Sequence, residues 1–370
     1  MKPKIALTNC ILYAPYAILK EHALLISDGQ IVEIIAENQV PRDYTKVDLH
    51  GAYVCPGLVD LQIYGTGAHL FSAELTIDSI RTIENELLRQ GCTSFCLTLA
   101  TNTLSLFKEA IQVFNQANPR VALGLHLEGP FLNAKKRGAH PAELVIPAKK
   151  ALLEKLLDSD EGAVNIMTVA PELFPDECLE YLLSKNILIS AGHSDATQDE
   201  ATQAFEKGIK TVTHLWNAMS PLHHREVGLP GATFNHPSVM ASIIADGIHL
   251  SYDMLKLSKK ALGERLFLIT DAVASCSTGI YHHELNNDHY VLPDGTLSGS
   301  ALTLLQAVKN CVQYADIALD EAIRMATLYP SNLINRKDLG RLEAGAKANI
   351  LIFDSNFDVV DVYFEGQSIN

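Results

Sequence analysis

Eight short apolar runs that alternate with amphipathic stretches constrain the fold of this chain more than any other feature. Each run is bounded by turn residues, as is typical of strands that are buried on both faces. The runs cover residues 57–62, 93–99, 121–128, 164–170, 187–192, 210–214, 241–246 and 266–271. Helical patterns cover residues 77–90, 103–117, 148–157, 175–185, 196–207, 252–262, 301–312 and 320–328. Because eight parallel strands close a TIM-type barrel, the alternation predicts a TIM-type (β/α)8 barrel, with a doubly wound open sheet as the alternative.

The two ends of the chain have a different pattern of apolar and polar residues from the middle. Near the N-terminus, apolar and polar residues alternate, and Asp28-Gly29 separates two apolar runs, which is typical of a β-hairpin. Residues 348–354 and 359–366 show the same strand-like pattern. We therefore predict a small β-sandwich domain built from residues 1–55 and 338–370, with the barrel spanning residues 56–337.

The composition excludes several classes of partner. The 370 residues carry a formal net charge of -14, with 43 acidic against 29 basic side chains. This balance disfavours nucleic acid and anionic membrane surfaces. The N-terminal residues lack a signal-peptide pattern, no apolar run is long enough to cross a membrane, and the seven cysteines lack a CxxC pair. We expect a cytoplasmic protein with reduced thiols.

Polar residues stand where four of the predicted strands end: Glu128, His193, His214 and Asp271. In a TIM-type barrel these ends meet at the active-site mouth. Two imidazoles and one carboxylate hold a divalent ion with an open position, as in catalytic zinc sites. Asp271 could then accept a proton from water and pass it to a leaving group. Taken singly, each residue has a structural alternative, such as an ion pair for Glu128 or a helix cap for Asp271.

Nine short segments carry a resemblance to a known family over nearly the whole chain. They include 56–60, 124–131, 136–140, 190–194, 213–219, 225–229, 245–249, 270–272 and 297–300. In this combination and order the chain resembles the amidohydrolase superfamily and, within it, the N-acetylglucosamine-6-phosphate deacetylases. The resemblance implies metal ligands Glu128, His193 and His214, a general base Asp271, and substrate contacts His140, Asn217, Ala218, Arg225 and His249.

The phosphate contacts also make chemical sense. Arg225 lies in a predicted Pro- and Gly-rich loop, 220–231, and a guanidinium fork suits a phosphate. The backbone N–H of Ala218 could add a donor. The alternatives are a solvated loop arginine and, for His140 and His249, surface or supporting positions.

One departure from the superfamily affects the number of metal ions. The first strand ends in Gln62-Ile63-Tyr64, where many amidohydrolases carry His-x-His. An amide and a phenol are poor replacements for two imidazoles on a transition metal. We therefore expect one divalent ion per subunit, zinc first, with iron, manganese or cobalt as alternatives. The bulk of Tyr64 could narrow the pocket or change substrate choice.

The resemblance implies deacetylation of a phosphorylated amino sugar, N-acetylglucosamine 6-phosphate, by a homodimer. Two alternatives stay open. One is an amidohydrolase that acts on a related amino sugar phosphate, and the other is a non-catalytic protein that binds a sugar phosphate.

Overall fold

The computed structural model describes residues 4–369, and its central element is an eight-stranded sheet. In chain order the strands are β1 Leu58–Ile63, β2 Cys92–Ala100, β3 Ala122–Glu128, β4 Val164–Val169, β5 Leu188–Ala191, β6 Thr211–Val212, β7 Met240–Ile244 and β8 Leu266–Ile269. Each strand neighbours the next in the sheet, and the pairs from β2 to β8 are parallel.

Hydrogen bonds beyond the last strand close the sheet on itself. The Asp271 N–H donates to the Gln62 carbonyl, and the Tyr64 N–H donates to the Ala272 carbonyl, both at 2.9 Å. All eight predicted strands are present, so the predicted TIM-type barrel is confirmed and the open-sheet alternative is wrong.

Ten α-helices accompany the strands in the described part of the chain. They are α1 Ile77–Arg89, α2 Leu104–Ala117, α3 Lys150–Leu156, α4 Asp176–Ser184, α5 Gln198–Glu206, α6 Gly228–Asn235, α7 Tyr252–Leu262, α8 Leu304–Tyr314, α9 Leu319–Met325 and α10 Leu328–Leu333. Several begin at a side-chain cap; α5, for example, starts with a capping box between Thr197 and Glu200. Helices of this kind connect successive strands, as the predicted alternation of strands and helices requires.

The structure differs from the prediction at one loop and one helix. The predicted loop 220–231 is wrong at its end, because α6 begins at Gly228. The Ser220 hydroxyl accepts a hydrogen bond from the Leu229 N–H at 2.9 Å, and Pro230 lies in the first turn, where a missing N–H costs little. The predicted helix 320–328 ends at Met325, and a separate helix, α10, follows.

Both chain ends contribute to a small β-sandwich, as predicted. One sheet has the order Gln30–Ala36, His22–Ser27, Ile5–Thr8 and Thr45–Asp48. The other has the order Gln367–Ser368, Val359–Phe364, Ile350–Phe353, Tyr53–Pro56, Ile11–Ala14 and Ala17–Leu19. Leu24 and Ile26 from the first sheet share one apolar core with Val54 and Ile352 from the second. This core explains the alternating pattern of the sequence at both ends.

The predicted hairpin around Asp28-Gly29 is also confirmed. The two residues have φ values of 51° and 85°, so both lie in the left-handed region that a type I′ turn needs. Glycine adopts this conformation without strain, and aspartate tolerates it better than most residues. The dipeptide therefore sets the register of the strands on either side.

The chain divides into two compact units. One comprises the described residues up to Asp60, then Asn85–Ser94 and the residues from Thr303 onward; the other comprises Leu61–Glu84 and Phe95–Leu302. The domain boundaries predicted above, 1–55 with 338–370 and 56–337, stay a prediction. No helix among residues 4–369 is long and apolar enough to cross a membrane.

Candidate active site

The four predicted strand-end residues lie directly at or beyond the ends of barrel strands. Glu128 is the last residue of β3, and His193, His214 and Asp271 follow β5, β6 and β8 by two residues each. His193, His214 and Asp271 have φ values of 48°, 33° and 54°. A non-glycine residue in this region costs on the order of 1–3 kcal/mol and is concentrated at functional sites. The backbone is thus strained at three of the four positions that chemistry would use.

Glu128, His193 and His214 converge on one point. Glu128 Oε1 lies 3.2 Å from His193 Nε2 and 3.0 Å from His214 Nε2, and the two nitrogens are 3.1 Å apart. All three side chains are buried. Ligand atoms around a tetrahedral zinc, at about 2.0–2.1 Å from the ion, are separated by roughly 3.3 Å. The spacing of these three atoms therefore fits a single divalent cation.

The tautomer of His193 supports this fit. Its Nδ1 lies 2.9 Å from the Lys136 carbonyl oxygen, which can only accept, so Nδ1 carries the proton. In the neutral ring, Nε2 then offers a lone pair toward Glu128 and His214. Burial and the neighbouring His140 lower the pKa of His193, which favours this neutral form. A carbonyl that holds the remote nitrogen is the usual support for a metal-binding histidine.

His140 is close enough to the same cluster to be considered as a ligand, because Glu128, His140 and His193 also form a group that could hold a metal ion. Its tautomer argues for another role. The backbone N–H of Thr101 donates to His140 Nδ1 at 3.2 Å, so in the neutral ring Nε2 carries the proton. This Nε2–H faces Glu128 Oε2 at 3.3 Å. His140 is therefore arranged as a hydrogen-bond donor toward Glu128.

Gln62 connects the carboxylates of Glu128 and Asp271. Its Nε2 lies 3.0 Å from Glu128 Oε1 and 2.7 Å from Asp271 Oδ1. Since carboxylates accept hydrogen bonds, the amide NH₂ of Gln62 must be the group between them. Gln62 thereby holds Asp271 beside the cluster. Sequence reasoning treated Gln62 only as a replaced ligand and missed this bridging position.

The pKa values of the two carboxyls are shifted in opposite directions. Burial alone would raise the pKa of Glu128, but its interactions with His193, His140 and His214 hold it well below the ordinary value. Burial and the charge of Glu128 raise the pKa of Asp271. Glu128 therefore stays ionised, as a ligand must, while Asp271 is more easily protonated.

The cluster forms the wall of a cavity of about 200 Å³. Eight of the nine predicted site residues line it, namely Glu128, His140, His193, His214, Asn217, Ala218, His249 and Asp271. The ninth, Arg225, does not; it is exposed on the segment before α6. The structure therefore brings together every predicted residue except the predicted phosphate-binding arginine.

Two further polar side chains that line the cavity, His249 and Asn217, differ in their hydrogen bonding. The Nδ1 of His249 lies 2.6 Å from Asp246 Oδ2, which fixes the ring against the wall. The Nδ2 of Asn217 is buried and has no hydrogen-bond partner among the described residues. An unpaired buried amide beside a cavity is a group that a ligand oxygen would satisfy.

Two lining residues, Tyr281 and His283, were not predicted. They precede a three-stranded sheet of Glu284–Asn286, His289–Val291 and Leu297–Ser300 that follows β8. Their rings are stacked at 5.8 Å, and the Tyr281 hydroxyl donates to the Thr101 carbonyl at 2.7 Å. The only sequence signal was the clustering of aromatic and histidine residues at 281–283, which is too weak to assign a position.

Comparison with known proteins identifies the family to which this chain belongs. The sequence pattern of the amidohydrolase family matches residues 53–369, and that of the NagA composite domain matches residues 5–54. The chain belongs to the amidohydrolase family. Among amidohydrolases, the N-acetylglucosamine-6-phosphate deacetylase of Haemophilus influenzae is 32% identical over 98% of this chain and 99% of its own length. The N-acetylgalactosamine-6-phosphate deacetylase of Escherichia coli O157:H7 is 30% identical over 94% of this chain and 95% of its own length.

Solved structures agree with this membership. The N-acetylglucosamine-6-phosphate deacetylase of Pasteurella multocida has a TM-score of 0.92 at 32% identity and covers 99% of both chains. The enzyme of Mycobacterium smegmatis in complex with N-acetyl-D-glucosamine-6-phosphate has a TM-score of 0.91 at 27% identity, with the same coverage. For an amidohydrolase, the Glu and His cluster described above indicates a divalent metal ion.

Proposed function

We propose that this chain hydrolyses N-acetylglucosamine 6-phosphate to glucosamine 6-phosphate and acetate. The observation that carries the proposal is the convergence of Glu128, His193 and His214 beside Asp271 in one cavity. The names of the relatives supply the substrate class, and the cluster supplies the means of cleaving an amide.

In this proposal Glu128, His193 and His214 hold the metal ion. When bound, such an ion polarises a carbonyl and lowers the pKa of a water molecule. Asp271 accepts the proton of the attacking water and delivers it to the amide nitrogen. A C–O bond forms, the C–N bond breaks, and the amine leaves with that proton. Gln62 keeps Asp271 in place through its 2.7 Å hydrogen bond.

A histidine N–H assists at the acetyl carbonyl. His140 is better suited than His249 to this task, because its Nε2 carries the proton in the neutral ring. The bond from that group to Glu128 is long, at 3.3 Å, so the donor is available to a nearby carbonyl oxygen. His249 has its Nδ1 bound to Asp246, and we assign it to a sugar oxygen instead.

Local donors must bind the phosphate, since the chain as a whole is acidic. We assign this role to Asn217, Ala218 and Arg225. The unpaired Nδ2 of Asn217 supports its part. Arg225 lies outside the cavity wall, so its assignment rests on the resemblance and on the suitability of guanidinium for phosphate.

Three finer assignments belong to the same proposal. Zinc is the metal we expect, one ion per subunit, because two imidazoles and one carboxylate are its usual catalytic ligands. A homodimer is expected from the family resemblance, and a cytoplasmic location from the composition. Metal analysis of the purified protein, light scattering and cell fractionation would test them in turn.

A second candidate substrate is N-acetylgalactosamine 6-phosphate. The Escherichia coli relative named for it is nearly as similar to this chain as the glucosamine relatives are. Tyr64, which lines the cavity, is the residue most able to alter substrate choice. A non-catalytic sugar-phosphate binder is disfavoured because the groups that hydrolysis needs lie together.

The deciding experiment is acetate release from both phosphorylated sugars by the zinc-loaded protein. We expect release from N-acetylglucosamine 6-phosphate with a higher kcat/KM than from its galactosamine epimer, and none after chelation. Preference for the galactosamine sugar would make the second candidate correct. Tight binding of either sugar with no acetate release would refute catalysis altogether.

A further inference from the structure

The hydroxyl group of Tyr64 is engaged with the carboxylate of the metal cluster. It donates a hydrogen bond to Glu128 Oε2, and Gln62 Nε2 lies 3.2 Å from the same hydroxyl oxygen. An ionised carboxylate oxygen only accepts, so the phenol proton of Tyr64 points to Glu128. The Tyr64 hydroxyl is therefore a donor to Oε2 of Glu128.

The two oxygens of Glu128 consequently have different partners. Oε2 accepts from the Tyr64 hydroxyl and faces the Nε2–H of His140 at 3.3 Å. Oε1 accepts from the Gln62 amide at 3.0 Å and faces the Nε2 atoms of His193 and His214, the two nitrogens proposed to bind the ion. Because the Tyr64 hydroxyl engages Oε2, the oxygen of Glu128 that remains beside both imidazoles is Oε1.

The ring of Tyr64 is held so that its hydroxyl cannot readily leave this position. Tyr64 is 8% exposed and belongs to one apolar cluster with Leu70, Val273, Ala274 and Tyr290. Its backbone N–H donates to the Ala272 carbonyl at 2.9 Å. Both the ring and the backbone are therefore fixed independently of Glu128.

We propose that Tyr64 is a positioning residue that restricts Glu128 to a one-oxygen contact with the metal ion and thereby sets the affinity for that ion. The proposal rests on the metal-binding part of the proposed function and goes beyond it. Partners of metal-binding side chains typically contribute 10- to 100-fold in metal affinity. The same arrangement leaves donors, not lone pairs, on the Oε2 side, which supports the expectation of a single ion.

The test compares Tyr64→Phe with Tyr290→Phe. The first removes the hydroxyl from Glu128, and the second removes a hydroxyl from the same apolar cluster without touching the metal cluster. Each protein is stripped of metal and titrated with Zn²⁺ in competition with a fluorescent chelator. We expect the Kd for Zn²⁺ to rise by about tenfold or more in Tyr64→Phe and to be unchanged in Tyr290→Phe.

A spectroscopic measurement separates positioning from a general structural effect. Loading with Co²⁺ reports coordination through the visible absorption of the ion, and release of Oε2 should change the band intensity in Tyr64→Phe alone. The metal-free variants should unfold at similar temperatures. A Kd within twofold of the wild type, or a tighter one, together with an unchanged Co²⁺ spectrum would overturn the proposal. Neither readout involves a sugar, so failure of the proposed substrate would leave this result standing.

Discussion

Replacing Asp271 with asparagine isolates the proton transfer from every other property of the site. Asn tolerates a positive φ better than most non-glycine residues, so the 54° backbone angle at this position can be kept. The side-chain amide oxygen can still accept the 2.7 Å hydrogen bond from Gln62. None of the three metal ligands is altered. The substitution therefore removes the proton-accepting carboxylate and its charge, while it leaves the backbone and the metal ligands in place.

The size of the effect follows from the role. General acid–base catalysis contributes about 10²- to 10⁴-fold, and Asp271 is proposed both to accept the proton and to return it. We expect kcat to fall by at least about 10²-fold, which corresponds to roughly 2.7 kcal/mol at 1.36 kcal/mol per factor of ten. The KM and the zinc content should stay within about threefold of the wild type, because the ligands and the phosphate contacts are unchanged.

The assay is acetate release from N-acetylglucosamine 6-phosphate at saturating substrate. The metal content is determined on the same samples. Loss of turnover with full metal occupancy is the expected result. A kcat within a few-fold of the wild type would show that Asp271 is not the base. Loss of zinc in parallel with activity would show instead that Asp271 belongs to the ligand set.

Three further outcomes are expected. Arg225→Ala should raise KM for the phosphorylated sugar by about tenfold or more while leaving the unphosphorylated sugar almost unaffected, and equal effects on both would remove Arg225 from phosphate binding. Dialysis against a chelator should abolish acetate release and lower the melting temperature, with Zn²⁺ restoring both; full activity in the metal-free protein would contradict the metal site. Glu84→Ala should destabilise the fold by about 3 kcal/mol or more, because the buried Glu84 Oε1 accepts the backbone N–H groups of residues 120–122 at 2.6–3.1 Å. Denaturant unfolding that shows a loss below about 1 kcal/mol would contradict that estimate.

The barrel could be predicted because each of its strands is marked by a short stretch of neighbouring residues in the sequence. Each strand is a short apolar run between turn residues, and the fold then brings the residues after those runs to one mouth. Once eight runs were recognised, the meeting of Glu128, His193 and His214 followed from the topology. Their chemistry followed from their residue types.

The supporting contacts were not predictable, because they join residues that share no pattern. Nothing in the sequence indicates that the Thr101 N–H meets His140 Nδ1, although this contact decides whether His140 donates a proton or binds a metal. The hydroxyl of Tyr64 reaches Glu128 across 64 residues of sequence. The start of α6 depends on Ser220, eight residues before the helix begins, accepting from Leu229. Such contacts depend on side-chain positions that only the packed structure defines.

The different roles proposed for Glu128 and Asp271, metal binding and proton transfer, follow from these supporting contacts. Glu128 and Asp271 share the amide of Gln62, so proximity alone does not distinguish a ligand from a base. Glu128 is surrounded by imidazoles that hold its pKa well below the ordinary value, so it stays ionised and available to a cation. For Asp271, burial and the charge of Glu128 raise the pKa, so it takes up a proton more readily. Two carboxyls whose environments separate their pKa values are the arrangement by which enzymes assign a permanent anion and a proton carrier. The assignment of Glu128 to the metal and Asp271 to the proton therefore rests on their surroundings as well as on family resemblance.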